Sequence, residues 1–263
     1  MSIQASSLVR DGKALGVTDL SLFERIAFGI EPNATAWSKT GYNPDVGTTE
    51  EDLWALGSTY VWPSSPQQME VYSANAADTA AGTGVQSVHL YYLDAAGVDK
   101  VETIALNGGV VATTATNILR VQAFRAATCG TGKKAAGNID VRAIADTPVY
   151  SRIALGYTRA RNTAYRVPAG KTLYVTSIVF SAVGTTAGKY ARFTTRASYD
   201  DKGNYSLDFM VPYHEVLVQD GAFYRVLEIP TRLPQNTDIL VSALAGAAST
   251  ICTSILRGYL VTG

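Results

Sequence analysis

Apolar and polar residues alternate with a period of two in a series of segments that begins at Met69. Such alternation is typical of strands that have one buried face and one exposed face. The turns between these segments include residues 94–97 (DAAG) and 107–109 (NGG), whose glycines can adopt the positive φ that tight hairpins need. The pattern predicts one antiparallel β-sandwich domain over residues 67–150.

A second series of alternating segments follows Pro148. Its longest run, residues 171–183, is apolar on one face and nearly so on the other. We expect this strand to lie inside a sandwich or against a neighbouring subunit. The regular spacing of the series predicts a second β-sandwich, jelly-roll-like, over residues 151–263. The fold class predicted for the chain is therefore all-β, with two antiparallel β-sandwich or jelly-roll-like domains.

Residues 1–66 do not show this alternation and are predicted to form an irregular N-terminal segment. Residues 19–30 (DLSLFERIAFGI) fit either a short helix or a strand. Residues 47–57 have the signature of a short capped helix, because a threonine cap precedes Glu51 and Asp52 in the first turn and a glycine follows the last turn.

The apolar residues of this N-terminal segment have no strand pattern that would bury them within one sheet. We therefore expect a partner or sister subunit to cover part of them, and we assign residues 1–66 to docking. Two arginines later in the chain interleave with tyrosines, which also favours subunit contacts over nucleic acid in a neutral chain. The predicted assembly contacts are Leu20, Phe23, Trp37, Trp54, Trp62, Arg159 and Arg161.

Composition supports a well-packed protein without electrostatic partners. The 263 residues are 47% hydrophobic and only 17% charged, which suits a folded core. The 22 basic and 22 acidic side chains balance, so no nucleic acid or membrane partner is expected. Without a signal peptide or an apolar span, we expect synthesis in a cytoplasm and a soluble product. Cys129 and Cys252 are then expected to be buried thiols.

No complete catalytic or metal-binding motif is present in the sequence. Histidine occurs only as His89 and His214, and the GTGKK stretch lacks both the first glycine and the Ser/Thr of a phosphate-binding loop. We therefore predict a protein that is not an enzyme and needs no metal or other cofactor. The one exception left open is a glycosidase-like carboxylate pair that includes Asp200 or Asp201.

Several segments together resemble a family of accessory virion proteins of short-tailed and related tailed bacteriophages. The segments that carry the resemblance are GYNPDVGTTEEDLWALGSTYVWP (41–63), SANAADTAAGTGVQSVHLYYLDAAG (73–97), ETIALNGG (102–109), ILRVQAFRAATCGTGKKAAGNI (118–139) and YRVPAGKTLYV (165–175). The resemblance implies a non-enzymatic structural component, built from β-sandwich domains, made in the host bacterial cytoplasm and located in the virion. Its expected partners are sister copies in a trimer or higher cyclic assembly, together with capsid, portal, neck or tail proteins.

Fifteen tyrosines leave a second function open. Tyrosine rings on an exposed face can stack on sugars, so the alternative is a receptor- or glycan-binding module on the virion surface. The residues proposed for that role are Tyr199, Tyr205 and Tyr213. Strand propensity and interface burial explain the same tyrosines without a glycan.

Overall fold

The chain is all-β in the computed structural model, which describes residues 9–10, 13–14, 20–114, 117–184, 190–198 and 210–263. All strand pairs within its sheets are antiparallel. The described part contains one helix, α1 (Leu22–Ala27). The strands are β1 (Val9–Arg10), β2 (Lys13–Ala14), β3 (Ala34–Val46), β4 (Glu51–Asp52), β5 (Met69–Ser73), β6 (Val85–Asp94), β7 (Asp99–Ala105), β8 (Ala112–Thr113), β9 (Ile118–Cys129), β10 (Ile139–Ala143), β11 (Val149–Ile153), β12 (Tyr165–Arg166), β13 (Lys171–Gly184), β14 (Tyr190–Ala197), β15 (Val211–Gln219), β16 (Gly221–Leu233), β17 (Asp238–Ala245) and β18 (Thr250–Thr262).

Strands β5 to β11 surround one hydrophobic core, and we call this part the small lobe. One sheet has the order β11-β10-β5-β8 and the other has the order β7-β6-β9. Alternate residues of both sheets, such as Val71 and Leu90, are buried in the same core. The predicted β6–β7 hairpin is confirmed, and its turn residue Gly97 has a φ of 75°. Local alternation and turn chemistry therefore determine most of this lobe.

The remaining long strands surround a second core, and we call this part the large lobe. One sheet has the order β16-β13-β18-β3, and the other has the order β12-β17-β14-β15 with β4 paired to β17. Phe180 of the first sheet and Phe193 of the second stack with 4.9 Å between ring centroids. Both rings are fully buried, so they join the two sheets across the core.

The N-terminal segment is not irregular throughout, so this prediction is wrong for residues 34–46 and 51–52. Strand β3 pairs with β18 along nearly its whole length and contributes Trp37 and Val46 to the core of the large lobe. The strand is hard to recognise in the sequence because other residues on its inward row, Gly41 and Asn43, are not hydrophobic. The predicted division between residues 150 and 151 also falls inside β11.

The predicted capped helix at residues 47–57 is wrong. Glu51 and Asp52 form strand β4 instead, because they pair with Ala243 and Ser242 of β17. The Leu53 N–H then donates to the carbonyl oxygen of Val241 at 2.8 Å. Tertiary pairing with a distant strand thus overrides the local helix signal.

The ambiguous segment at residues 19–30 contains the helix α1. Ser21 is its N-cap: the Glu24 N–H donates to Ser21 Oγ at 3.3 Å, and the Ser21 N–H donates to Glu24 Oε2 at 2.9 Å. This reciprocal capping box satisfies two backbone donors that would otherwise lack partners at the helix start. The Ser-x-x-Glu spacing in the sequence is the signal that decides in favour of a helix.

A buried ionic network joins the two lobes. Asp238 of β17 accepts hydrogen bonds from Arg120 Nε at 3.0 Å and Arg120 Nη2 at 3.1 Å. Arg166 Nη1 donates to the same carboxylate at 3.2 Å. Arg120 also donates from Nη1 to the carbonyl oxygen of Pro63 at 2.9 Å. A carboxylate held by two arginines in this way fixes β9 of the small lobe against the large lobe.

Candidate functional surfaces

Exposed apolar side chains lie together on the outward face of the β16-β13-β18-β3 sheet. Residues opposite one another in neighbouring strands share a face. Val179 is paired with Tyr224 on one side and with Ile255 on the other, and Val183 is paired with Ile251. We define the outer apolar face as Val179, Val183, Tyr224, Val226, Ile251 and Ile255.

Four members of the outer apolar face are well exposed. The exposed fraction is 60% for Tyr224, 58% for Val226, 54% for Val183 and 37% for Ile251. Residues on the opposite face of β13, such as Phe180, are buried in the core of the large lobe. One face of β13 therefore fills the core. Its outward face presents Val179 and Val183 in alternation with Ser177 and Ser181 and remains available for a second protein surface. The nearly apolar second face of residues 171–183 was the sequence signal for this site, but the individual residues on β16 and β18 were missed.

Three of the five N-terminal residues predicted as assembly contacts are already buried by the chain itself. Leu20, Trp37 and Trp54 have exposed fractions of 4%, 8% and 3%. Trp37 packs in the core of the large lobe, and Trp54 packs edge-on against Tyr60. The expectation that a partner covers these three residues is therefore wrong, because the chain itself buries them: Leu20 precedes α1, Trp37 lies on β3 and Trp54 follows β4.

The other two N-terminal residues lie nearer the surface. Phe23 on α1 is 58% exposed and has its ring 6.1 Å from that of Tyr259, edge to face. Trp62 is half-buried, and the Arg120 guanidinium lies 5.2 Å from its ring centroid. A role of Phe23 and Trp62 in assembly remains a prediction.

The two predicted arginines have different surroundings. The guanidinium of Arg161 lies between two tyrosine rings, 3.6 Å from the centroid of Tyr42 and 3.9 Å from that of Tyr157. Cation–π contacts of this kind hold the arginine in place. Arg159 is exposed and borders a cleft between the lobes. Their participation in subunit contacts also remains a prediction.

Of the three residues proposed to bind a glycan, the structure describes only Tyr213. Tyr213 is half-buried and packs against the core of the large lobe, so its ring is not free to stack on a sugar. Tyr199 and Tyr205 lie outside the described residues, as do Asp200 and Asp201 of the possible carboxylate pair.

The two histidines have local partners in neighbouring strands. His89 Nδ1 is 3.0 Å from Thr103 Oγ1, and His214 Nε2 is 3.1 Å from Thr231 Oγ1. Burial, with a smaller contribution from the charge of Arg225, lowers the pKa of His214. Within the described ranges, no group of three or more His, Cys, Asp or Glu side chains could hold a metal ion.

Both cysteines are free thiols, but the prediction that both are buried is confirmed only for Cys252 and is wrong for Cys129. Cys252 is buried in the core of the large lobe, whereas Cys129 is only half-buried. Burial raises the pKa of the Cys252 thiol to about 12. Cys252 is therefore an apolar core residue at neutral pH.

No protein-family model matches this chain, and no curated protein is significantly similar to it. No helix in the part of the chain that the structure describes has the length and apolar character needed to cross a membrane.

Proposed function

We propose that this protein is a non-enzymatic structural component of a tailed-bacteriophage virion, in which it docks in symmetric copies. The observation that carries the proposal is the outer apolar face, since a soluble protein rarely leaves such a surface uncovered. The resemblance of residues 41–63 and 73–97 to accessory virion proteins supports the same role. The protein is then made in the host cytoplasm and ends in the virion, on the head, neck or tail.

The occupant of the outer apolar face is a sister copy of the chain. A cyclic ring larger than a dimer needs two different complementary surfaces on each subunit. A second set of exposed apolar side chains lies on the two edge strands β15 and β16, where Leu217 is 64% exposed and Ile229 is 87% exposed. Contact between the outer apolar face of one copy and these edge strands of the next would cover both surfaces in a trimer or higher cyclic assembly.

The finer fold belongs to the same proposal. Each lobe pairs two sheets over one core, which supports a β-sandwich for the small lobe and a jelly-roll-like sandwich for the large lobe. Sandwich domains of this kind present broad faces and edges to neighbours without moving parts. The remaining surfaces would contact capsid, portal, neck or tail proteins.

Sedimentation velocity of the purified protein tests the ring. We expect wild type to sediment as a trimer or larger species and Val226→Lys to sediment as a monomer, because burying an unpaired ammonium in an apolar contact is costly. Val101→Lys is the matched control, since Val101 is equally exposed, at 57%, on β7 of the small lobe. A monomeric wild type would refute the sister-copy contact.

Immunogold labelling of purified phage particles tests the virion role separately. Antibody against the chain should label each particle at a defined position. Free protein carried over from the lysate would instead give label that is scattered between the particles. Particles of the encoding phage that carry none of the chain would refute the virion role, whatever the oligomeric state of the isolated protein.

A further inference from the structure

A cleft between the two lobes contains three basic side chains and no acidic one. Its volume is about 290 Å³, and it is bordered by the edge of β3, by β9 and by residues 159–164. The basic side chains are Lys39, Arg125 and Arg159. Ligand sites often form where two domains meet, because both contribute side chains to one concave surface.

Arg125 and Arg159 are held opposite each other by the backbone. They form an antiparallel bridge, in which the Ala126 N–H donates to the Thr158 carbonyl oxygen at 2.7 Å and the Ala160 N–H donates to the Phe124 carbonyl oxygen at 2.8 Å. Side chains directly opposite in such a bridge lie on the same face, and like charges in this position repel each other. An anion bound between the two guanidinium groups would attract both of them and so offset their mutual repulsion.

The lysine of the cleft contacts a backbone carbonyl group and a tyrosine ring. Lys39 Nζ donates to the carbonyl oxygen of Gln122 at 2.6 Å and lies 5.7 Å from the centroid of the Tyr165 ring. Loss of hydration on burial lowers the pKa of Lys39 from 10.5 to about 7. No acidic side chain of the described residues opposes this effect, so none of them neutralises the charge of the Lys39 ammonium.

A second cleft in the large lobe shows how the fold treats basic residues elsewhere. Lys171 in that cleft pairs with Asp99 at 2.7 Å, and Arg166 pairs with Asp238 at 3.2 Å. By contrast, none of the three cations between the lobes forms an ion pair within the described part of the chain. The inter-lobe cleft thus brings three cations together, and no carboxylate lines it among the described residues.

We propose that the cleft between the lobes binds a small oxyanion, which Lys39, Arg125 and Arg159 hold together. The hydroxyl groups of Ser38 and Thr40, which also border the cleft, are available as further donors. A sulfate or phosphate group and the carboxylate of a sugar acid share this chemistry. The side chain of Arg125 is itself held in place, because its Nη2 donates to the hydroxyl of Tyr91 and its guanidinium lies 5.1 Å from the centroid of that ring.

Calorimetric titration of the purified full chain with sulfate and, separately, with D-glucuronate tests the site. We expect saturable binding of at least one probe, and the tighter probe distinguishes a tetrahedral dianion from a sugar carboxylate. Lys39→Met and Arg159→Gln should each weaken that binding about tenfold, because each removes one charge-assisted contact. Arg225→Gln is the control, since this exposed arginine lies on β16, at the opposite edge of the sheet from β3.

A second readout separates ligand binding from a structural effect of the variants. Neither probe titrates near neutral pH, so any proton taken up on binding is bound by the protein. Wild type should take up as much as about half a proton at neutral pH as the anion favours the charged form of Lys39, and Lys39→Met should take up none. The proposal is overturned if neither probe saturates, or if Arg159→Gln and Lys39→Met, both folded, bind as tightly as wild type.

Discussion

Replacement of Lys39 by methionine should change how stability depends on pH. In the unfolded chain Lys39 has its ordinary pKa of 10.5, whereas in the folded chain burial lowers the pKa to about 7. Between these values the unfolded state binds more protons than the folded state, so the stability of wild type rises as pH rises from about 7 to 10.5. Below the folded pKa the full penalty for burying the charge is present.

The size of this effect follows from the difference between the two pKa values. Each unit of pKa corresponds to about 1.4 kcal/mol, so burying the ammonium costs about 5 kcal/mol at roughly pH 6. At roughly pH 9.5 the same group costs only about 1.4 kcal/mol, because the folded amine is already neutral. Wild type should therefore gain about 3 kcal/mol relative to Lys39→Met over this range. Loss of the hydrogen bond to Gln122 lowers the stability of the variant by a similar amount at every pH. It therefore does not change how the stability difference between wild type and variant depends on pH.

Urea denaturation followed by tryptophan fluorescence at several pH values measures this difference. Lys100→Met is the matched control, because the Lys100 side chain is 50% exposed on β7 and should produce no comparable slope. A stability difference between wild type and Lys39→Met that stays constant from about pH 6 to 9.5 would refute the reasoning, since it would mean that the ammonium is hydrated in the folded state.

Two further predictions concern the packing of the lobes, with stability to urea as the measurement. Gly41→Ala should lower the free energy of unfolding by about 1–3 kcal/mol, because a Cβ there would lie 2.5 Å from Thr163 Cγ2. Gly109→Ala is the control: it has open space around it and should lower the free energy of unfolding by less than about 1 kcal/mol. Equal decreases in the two variants would refute the steric argument. Asp238→Asn should lower the free energy of unfolding by about 3–5 kcal/mol, because it removes the carboxylate that pairs with the buried Arg120. A decrease below about 1 kcal/mol would show that this ion pair is hydrated like one on the surface.

The sequence by itself determined the elements whose signals are local. Period-two alternation and glycine turns predicted the strands of the small lobe, and the same alternation predicted the long strand at residues 171–183. The pattern of residues 19–30 left a helix and a strand open, and the Ser-x-x-Glu spacing at residues 21–24 is the local signal that favours α1. These features depend on interactions between residues within a few positions of one another, so a short stretch of sequence is enough to predict them.

Only the tertiary structure decided the features that join distant residues. The N-terminal strand β3 became recognisable through its pairing with β18, and this pairing, not a partner protein, led to the burial of Trp37. Likewise, Arg125 and Arg159 are far apart in sequence, and Lys39 lies in yet another segment. The docking of the lobes brings these three charges to one cleft, because long-range backbone pairing places side chains that no local pattern relates.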